Sequence, residues 1–130
     1  MTLKEQFIKL GYTEEDYEII RNNYAVNQIK DETLIKKLKD NFAFLLKIGY
    51  TKEEVIKMTK ILPAIYGYSI ENMKQKIDFY DSIDMHELAV IDSKKLMQSV
   101  NLSYARYSFY KDRGIDIDMN NYRKLFVEQK

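Results

Sequence analysis

The sequence predicts an all-α fold of about three imperfect helical repeats, and three observations carry the prediction. Helix-start signals are frequent, apolar residues recur in steps of three and four with no convincing alternating run, and similar segments return at intervals of 30–38 residues. The chain has 130 residues, 45% hydrophobic and 32% charged, with one proline and four glycines to interrupt helices. That suffices for one globular domain whose core needs neither disulfides nor metals, and it is short for two.

The first helix starts at Thr2-Leu3-Lys4-Glu5. There a threonine hydroxyl accepts from a free backbone N–H, and the glutamate three residues on accepts in return. Gly11 closes this helix, a left-handed residue being a common way to end one. Thr13-Glu14-Glu15-Asp16 opens the second with an incomplete version of the same box, its acid one methylene short. Ile35, Leu38, Phe42, Leu45 and Leu46 mark the inward stripe of a third helix, closed by Gly49. A full box at Thr51-Lys52-Glu53-Glu54 opens the fourth. Pro63, with φ fixed and no N–H, ends that helix and leads a short one. Ser69 is placed to cap the next, whose stripe is Ile70, Met73, Ile77 and Tyr80. Asp84-Met85-His86-Glu87-Leu88 reads as the first turn of a further helix, Gly114 closes the one after it, and 115–130 is expected as a C-terminal capping helix.

Self-comparison organises these elements. Leu10-Gly11-Tyr12-Thr13-Glu14-Glu15 returns as Ile48-Gly49-Tyr50-Thr51-Lys52-Glu53, a shift of 38. Ile35, Leu38, Phe42 and Leu45 superpose on Ile70, Met73, Ile77 and Tyr80 at a shift of 35. A shift of 30 then takes Ser69, Ile70, Ile77, Phe79 and Tyr80 onto Ser99, Val100, Tyr107, Phe109 and Tyr110. Such a period is the pattern of a short helical solenoid or bundle of either hand. The approximate repeats are 1–43, 44–78 and 79–114, within one domain spanning 1–130.

Net charge is +1, which conceals an alternation. Residues 1–27 sum to −2, 28–60 to +3, 61–92 to −4 and 93–130 to +4. Two basic blocks allow a basic surface without making the chain an overt polyanion binder. There is no cysteine, which removes disulfides, thiolate metal sites and cysteine nucleophiles and suits a reducing cytoplasm. No signal-peptide run opens the chain, and no stretch approaches the roughly 20 apolar residues that span a bilayer.

The segments Phe44-Leu45-Leu46-Lys47-Ile48-Gly49-Tyr50-Thr51-Lys52-Glu53-Glu54-Val55 and Ile61-Leu62-Pro63-Ala64-Ile65-Tyr66-Gly67-Tyr68-Ser69-Ile70-Glu71-Asn72-Met73 resemble the mitochondrial transcription termination factor (mTERF) repeat. The family pattern is a leucine-rich helix, a glycine turn into an acid-rich helix, and a proline that leads a short helix. The likeness is sharp over 44–84, fades through 85–114, and lacks the proline in 10–48, where Gln28 stands near its expected place. The resemblance implies a curved helical array that binds nucleic acid along a basic surface, although family members are usually longer and more basic.

Candidate sites follow from charge and aromatic content. Lys36, Lys39 and Lys60 in the first basic block, with Lys94, Lys95, Arg106 and Arg113 in the second, are candidate phosphate contacts, and Lys47 shares a helix side with Lys36 and Lys39. Tyr66, Tyr68, Tyr104 and Tyr107 form a candidate aromatic surface for unpaired bases or a protein partner. Catalysis has little to draw on. His86 is the single histidine, Asp116 and Asp118 lack the rest of a calcium loop and read as helix caps, and no phosphate loop or nucleophile elbow occurs. The expectation is a cytoplasmic nucleic-acid-binding repeat protein, not an enzyme, with no cofactor, metal, membrane span or small-molecule substrate. The alternative is a protein-interaction module, such as a phage or mobile-element inhibitor of a host nucleic-acid enzyme.

Overall fold

A computed structural model describes residues 1–126 and contains, among them, seven α-helices and no strand. The α-helices are α1 (Leu3–Leu10), α2 (Glu14–Arg21), α3 (Asp31–Lys47), α4 (Lys52–Ile61), α5 (Ile70–Ser82), α6 (Leu88–Ile91) and α7 (Val100–Asp112). Tight 3-10 turns span Pro63–Gly67, Ser93–Met97 and Tyr122–Leu125. Where the sequence leads one to expect a single domain, the contacts gather into two compact units, Met1–Ile70 and Glu71–Lys130.

Helix starts follow the capping chemistry. Thr2 and Thr51 form full capping boxes with Glu5 and Glu54. The box that looked incomplete also closes. Thr13 donates its N–H to Asp16 at 3.0 Å, and the Asp16 N–H returns to the Thr13 hydroxyl at 3.0 Å. The other oxygen of the same carboxylate pairs with Lys60, Nζ to Oδ1 at 3.2 Å.

The repeat register appears in the backbone itself. The described residues with left-handed φ are Gly11 (114°), Gly49 (113°), Asp84 (59°) and Gly114 (75°). Their spacings are 38, 35 and 30, the three shifts found by self-comparison. Each stands where a helix ends and the chain reverses. At Asp84 the glycine is replaced, and aspartate is one of the few other residues that enter this region at tolerable cost.

A polar side chain marks the same register inside each period. Asn41 of α3 donates to the carbonyls of Ile65 (2.8 Å) and Tyr68 (3.1 Å), at the end of the Pro63–Gly67 turn. Lys76, 35 residues on, donates to Gln98 O at 2.8 Å, just past the Ser93–Met97 turn. Arg106, 30 further, donates to Leu125 O at 3.0 Å in the last turn. A 3-10 turn leaves carbonyls unsatisfied at its end, and one long polar side chain per period supplies the missing donor. Burial pushes the Lys76 ammonium below its ordinary range.

The proline-free first period finds another solution. The position after the helix cap, filled by Pro63 after α4, is Asn23 after α2 and not Gln28. The Asn23 side-chain oxygen accepts from Ala25 N at 2.9 Å, the local turn that this residue type favours. Arg21 then grips the loop, its guanidinium donating to Val26 O, Ile29 O and the Asp31 carboxylate, each at 2.9 Å.

The core of the first unit is built on α3. Leu34, Leu38, Asn41, Phe42 and Leu45 face inward, whereas Ile35 is half-buried and Leu46 exposed, a stripe turned slightly from the one that periodicity indicated. The rotation follows from α3 meeting α1, α4 and the Pro63–Gly67 turn together. Phe7 meets Tyr12 and Tyr66 edge to face. The Tyr12 hydroxyl bonds Thr59 at 2.6 Å and Tyr66 at 2.5 Å, so the buried oxygens satisfy one another. In the second unit Met73, Ile77, Phe79 and Tyr80 of α5 are buried, as are Met85, Leu88 and Leu96, whereas Ile70, the head of the expected stripe and the last residue of the first unit, is half-buried.

The C-terminal segment departs from expectation. Residues 115–121 form a loop and only Tyr122–Leu125 a 3-10 turn, while residues 127–130 lie outside the described residues. Asn121 accepts from Asp118 N and donates to Asp116 O, both at 2.8 Å, and Asp118 accepts from Asn120 N. These local bonds compete with helix, so Asp118 serves a turn and caps no helix. Similarly, the helix expected to open near Asp84 begins only at Leu88.

The tyrosine cluster sets a pH limit. Burial pushes the Tyr12 hydroxyl from about 10 up to about 12, and burial raises Tyr66 well above its ordinary value. Below pH 10 the contribution to stability is complete. Between about pH 10 and 12 the unfolded chain loses the Tyr12 proton first, so stability falls, by on the order of 2–3 kcal/mol for Tyr12. Urea denaturation at pH 9, 10.5 and 12 checks this, and Tyr12→Phe should flatten the dependence.

Candidate nucleic-acid interface

The outward side of α3 carries the clearest cationic row. With 3.6 residues per turn, the inward stripe at Leu34, Leu38 and Leu45 leaves Lys36, Lys39, Ala43 and Lys47 on the opposite side. All four are exposed, and the three lysines make no ion pair or hydrogen bond. Lys36 to Lys47 covers about 16 Å of helix at 1.5 Å per residue. Glu32 and Asp40 share this side and reduce its net charge without neutralising it. Beside the row, Thr33, Lys36, Lys37, Asp40, Asn41 and Ile70 line a cleft of about 370 Å³, where Lys37 donates to Tyr68 O at 3.2 Å.

Lys60 differs from this row because its ammonium is already taken by Asp16. Burial opposes ionisation of that carboxyl, but the Thr13 N–H and Lys60 outweigh it and hold Asp16 below the usual range.

In the second unit cations and rings are paired. Lys94 is exposed and free of ion pairs. Lys95 stands 4.0 Å from Asp92 and lies over the Phe126 ring at 5.7 Å. Arg106 is half-buried and engaged with Leu125 O, so it first holds the fold. Arg113 stacks on Phe109 at 3.5 Å. Three further cations, which the sequence shows only as members of a basic block, join the pattern. Lys111 lies over Tyr107, Lys124 over Tyr110 and Arg123 over Tyr122, at 5.8, 5.6 and 5.2 Å. One such contact is usual per 70–80 residues, so the described part of this unit is rich in them, although the Tyr122 and Phe126 rings are themselves buried.

The four candidate tyrosines separate. Tyr66 is no surface residue: its side chain is fully buried and its hydroxyl spent on Tyr12. Tyr66 lies within the proline-led turn, which packs against α3, and its ring is turned to the core. Tyr68 is half-buried, and burial, then Tyr24, raises its hydroxyl above the ordinary value. Tyr104 is 59% exposed and Tyr107 half-buried, both edge-on to Phe79 at 6.1 and 6.3 Å.

The recurring glycine-type helix ends, 3-10 turns and polar pegs describe one repeated unit. The mTERF family model matches residues 4–90, more than half of the chain. The chain belongs to the mTERF family. The match takes in α1 to α5 and most of α6, and the same junction geometry continues past it at Ser93–Met97, Arg106 and Gly114. No curated protein and no solved structure matches. Among the described residues no helix of this mTERF protein is long and apolar enough to cross a membrane.

Proposed function

We propose that this mTERF-family chain is a non-catalytic nucleic-acid-binding repeat protein that grips phosphates through unpaired lysines. The observation that carries the reading is the row Lys36, Lys39 and Lys47, with no carboxylate partner, on the outer side of α3. Phosphate contact releases condensed counterions, which rewards several free cations on one side of one element. Lys94 and the ring-paired Lys111 and Lys124 offer a second set in the other unit. Arg106 and Lys60 rank lower as contacts, because Leu125 O and Asp16 already hold them. A cytoplasmic location belongs to the same proposal and rests on the cysteine-free composition.

Duplex DNA, single-stranded DNA and structured RNA, each titrated with the purified protein from low to physiological salt, test this reading. Binding to at least one of them, weakening steeply with salt, is the expected result. No binding to any of the three at the lowest salt would reject it.

A further inference from the structure

Two phenylalanines at the same repeat position have opposite environments. Phe79 of α5 is 6% exposed, covered by the Tyr104 and Tyr107 rings of the next long helix. Phe109 of α7, its counterpart 30 residues on, is 45% exposed. Leu102, two turns earlier on the same side of α7, is 48% exposed, and Ile115 stands exposed just past the helix end. Repeat arrays bury such positions by stacking the next repeat, and uncovered ones associate. The charge beside this face is positive, with the Arg113 guanidinium stacked on the Phe109 ring.

A face of opposite character lies on α2 of the first unit. Ile19 is 51% exposed and sits with Glu15 and Glu18 on one helix side, both acids exposed and unpaired. Ile8, at the end of the adjoining α1, is exposed as well. We propose that the outer face of α7 takes the α1–α2 face of a second copy of this chain. Leu102 and Phe109 meet Ile8 and Ile19, while Arg113 meets Glu15 and Glu18. The two faces differ, so the contact is heterologous, one copy's α7 meeting another copy's α1–α2. It is independent of nucleic-acid binding, since none of Lys36, Lys39, Lys47, Lys94, Lys111 and Lys124 takes part.

Sedimentation equilibrium of the full chain over a concentration series tests it. The mass should rise with concentration above that of a single chain. Phe109→Glu and Ile19→Glu should each sediment as single chains, with circular dichroism confirming that they are folded. Mixed in equal amounts they should combine as a pair, because each retains the face the other has lost. If either variant unfolds, Arg113→Glu replaces it: association should weaken at least tenfold and recover against Glu15→Lys/Glu18→Lys. A single-chain mass for the unmodified protein at the highest concentration would overturn the proposal. So would self-association that survives Ile19→Glu, or blocked variants that fail to pair.

Discussion

Leu45→Ala is expected to lower unfolding free energy by about 2–5 kcal/mol. Leu45 is fully buried on the inward stripe of α3, where that helix meets α1, α4 and the Pro63–Gly67 turn. Truncation removes three carbons from contact with packed neighbours and leaves a cavity that rigid helices close only in part. Ile77→Ala should cost a similar amount in the second unit, where α5 buries it beside Met73 and Tyr80. Chemical denaturation with the wild-type slope retained reads the change directly. An unchanged midpoint for either variant would show that its helix turns a different side to the core.

The second large effect concerns the helix ends. Gly49 holds φ 113°, which an L-residue enters at a cost of roughly 1–2 kcal/mol, and a β-branched side chain adds crowding. Gly49→Val should therefore destabilise by at least that amount. Asp84 offers the converse experiment, because it occupies the equivalent position at φ 59° with a side chain already there. Asp84→Gly should be neutral to stabilising, by up to about 1 kcal/mol, as relief of the left-handed strain outweighs the freedom glycine adds to the unfolded chain. Opposite signs at two equivalent positions would tie the effect to the repeat and not to glycine content. Equal signs would break that equivalence.

Much of this architecture was legible in the sequence, because it is written in local chemistry. Thr2, Thr51, Gly11 and Gly49 act within a few residues of themselves, and their caps stand where the sequence puts them. The shifts of 38, 35 and 30 likewise reappear as backbone geometry. What stayed hidden depends on partners distant in sequence. Asp16 pairs with Lys60, 44 residues on, and Tyr66 turns inward to meet Tyr12, 54 residues away. Asn41 and Lys76 carry no signal in the sequence, and Arg106 reads there only as a candidate phosphate contact, until each is seen donating to a turn 19–27 residues further on. The C-terminal helix failed for a local reason: Asp118 and Asn121 prefer turn bonds that apolar periodicity does not register.

The candidate site was legible only in part. Basic blocks can be counted, but which cations are free is a matter of geometry. Lys36, Lys39, Lys47 and Lys94 emerge unpaired, whereas Lys60 and Arg106 are engaged, and Arg113 lies on a ring.

The salt dependence of binding by the wild type and by Lys36→Ala/Lys39→Ala/Lys47→Ala, measured on one duplex DNA or, if another nucleic acid binds more tightly, on that one, tests the central claim most directly. These side chains are exposed, so the variant should fold with wild-type stability. The account predicts weaker binding at every salt concentration and a plot of log affinity against log salt shallower by about 2–3. A variant that binds with the wild-type slope would contradict it, and would show that the unpaired row on α3 does not meet phosphate.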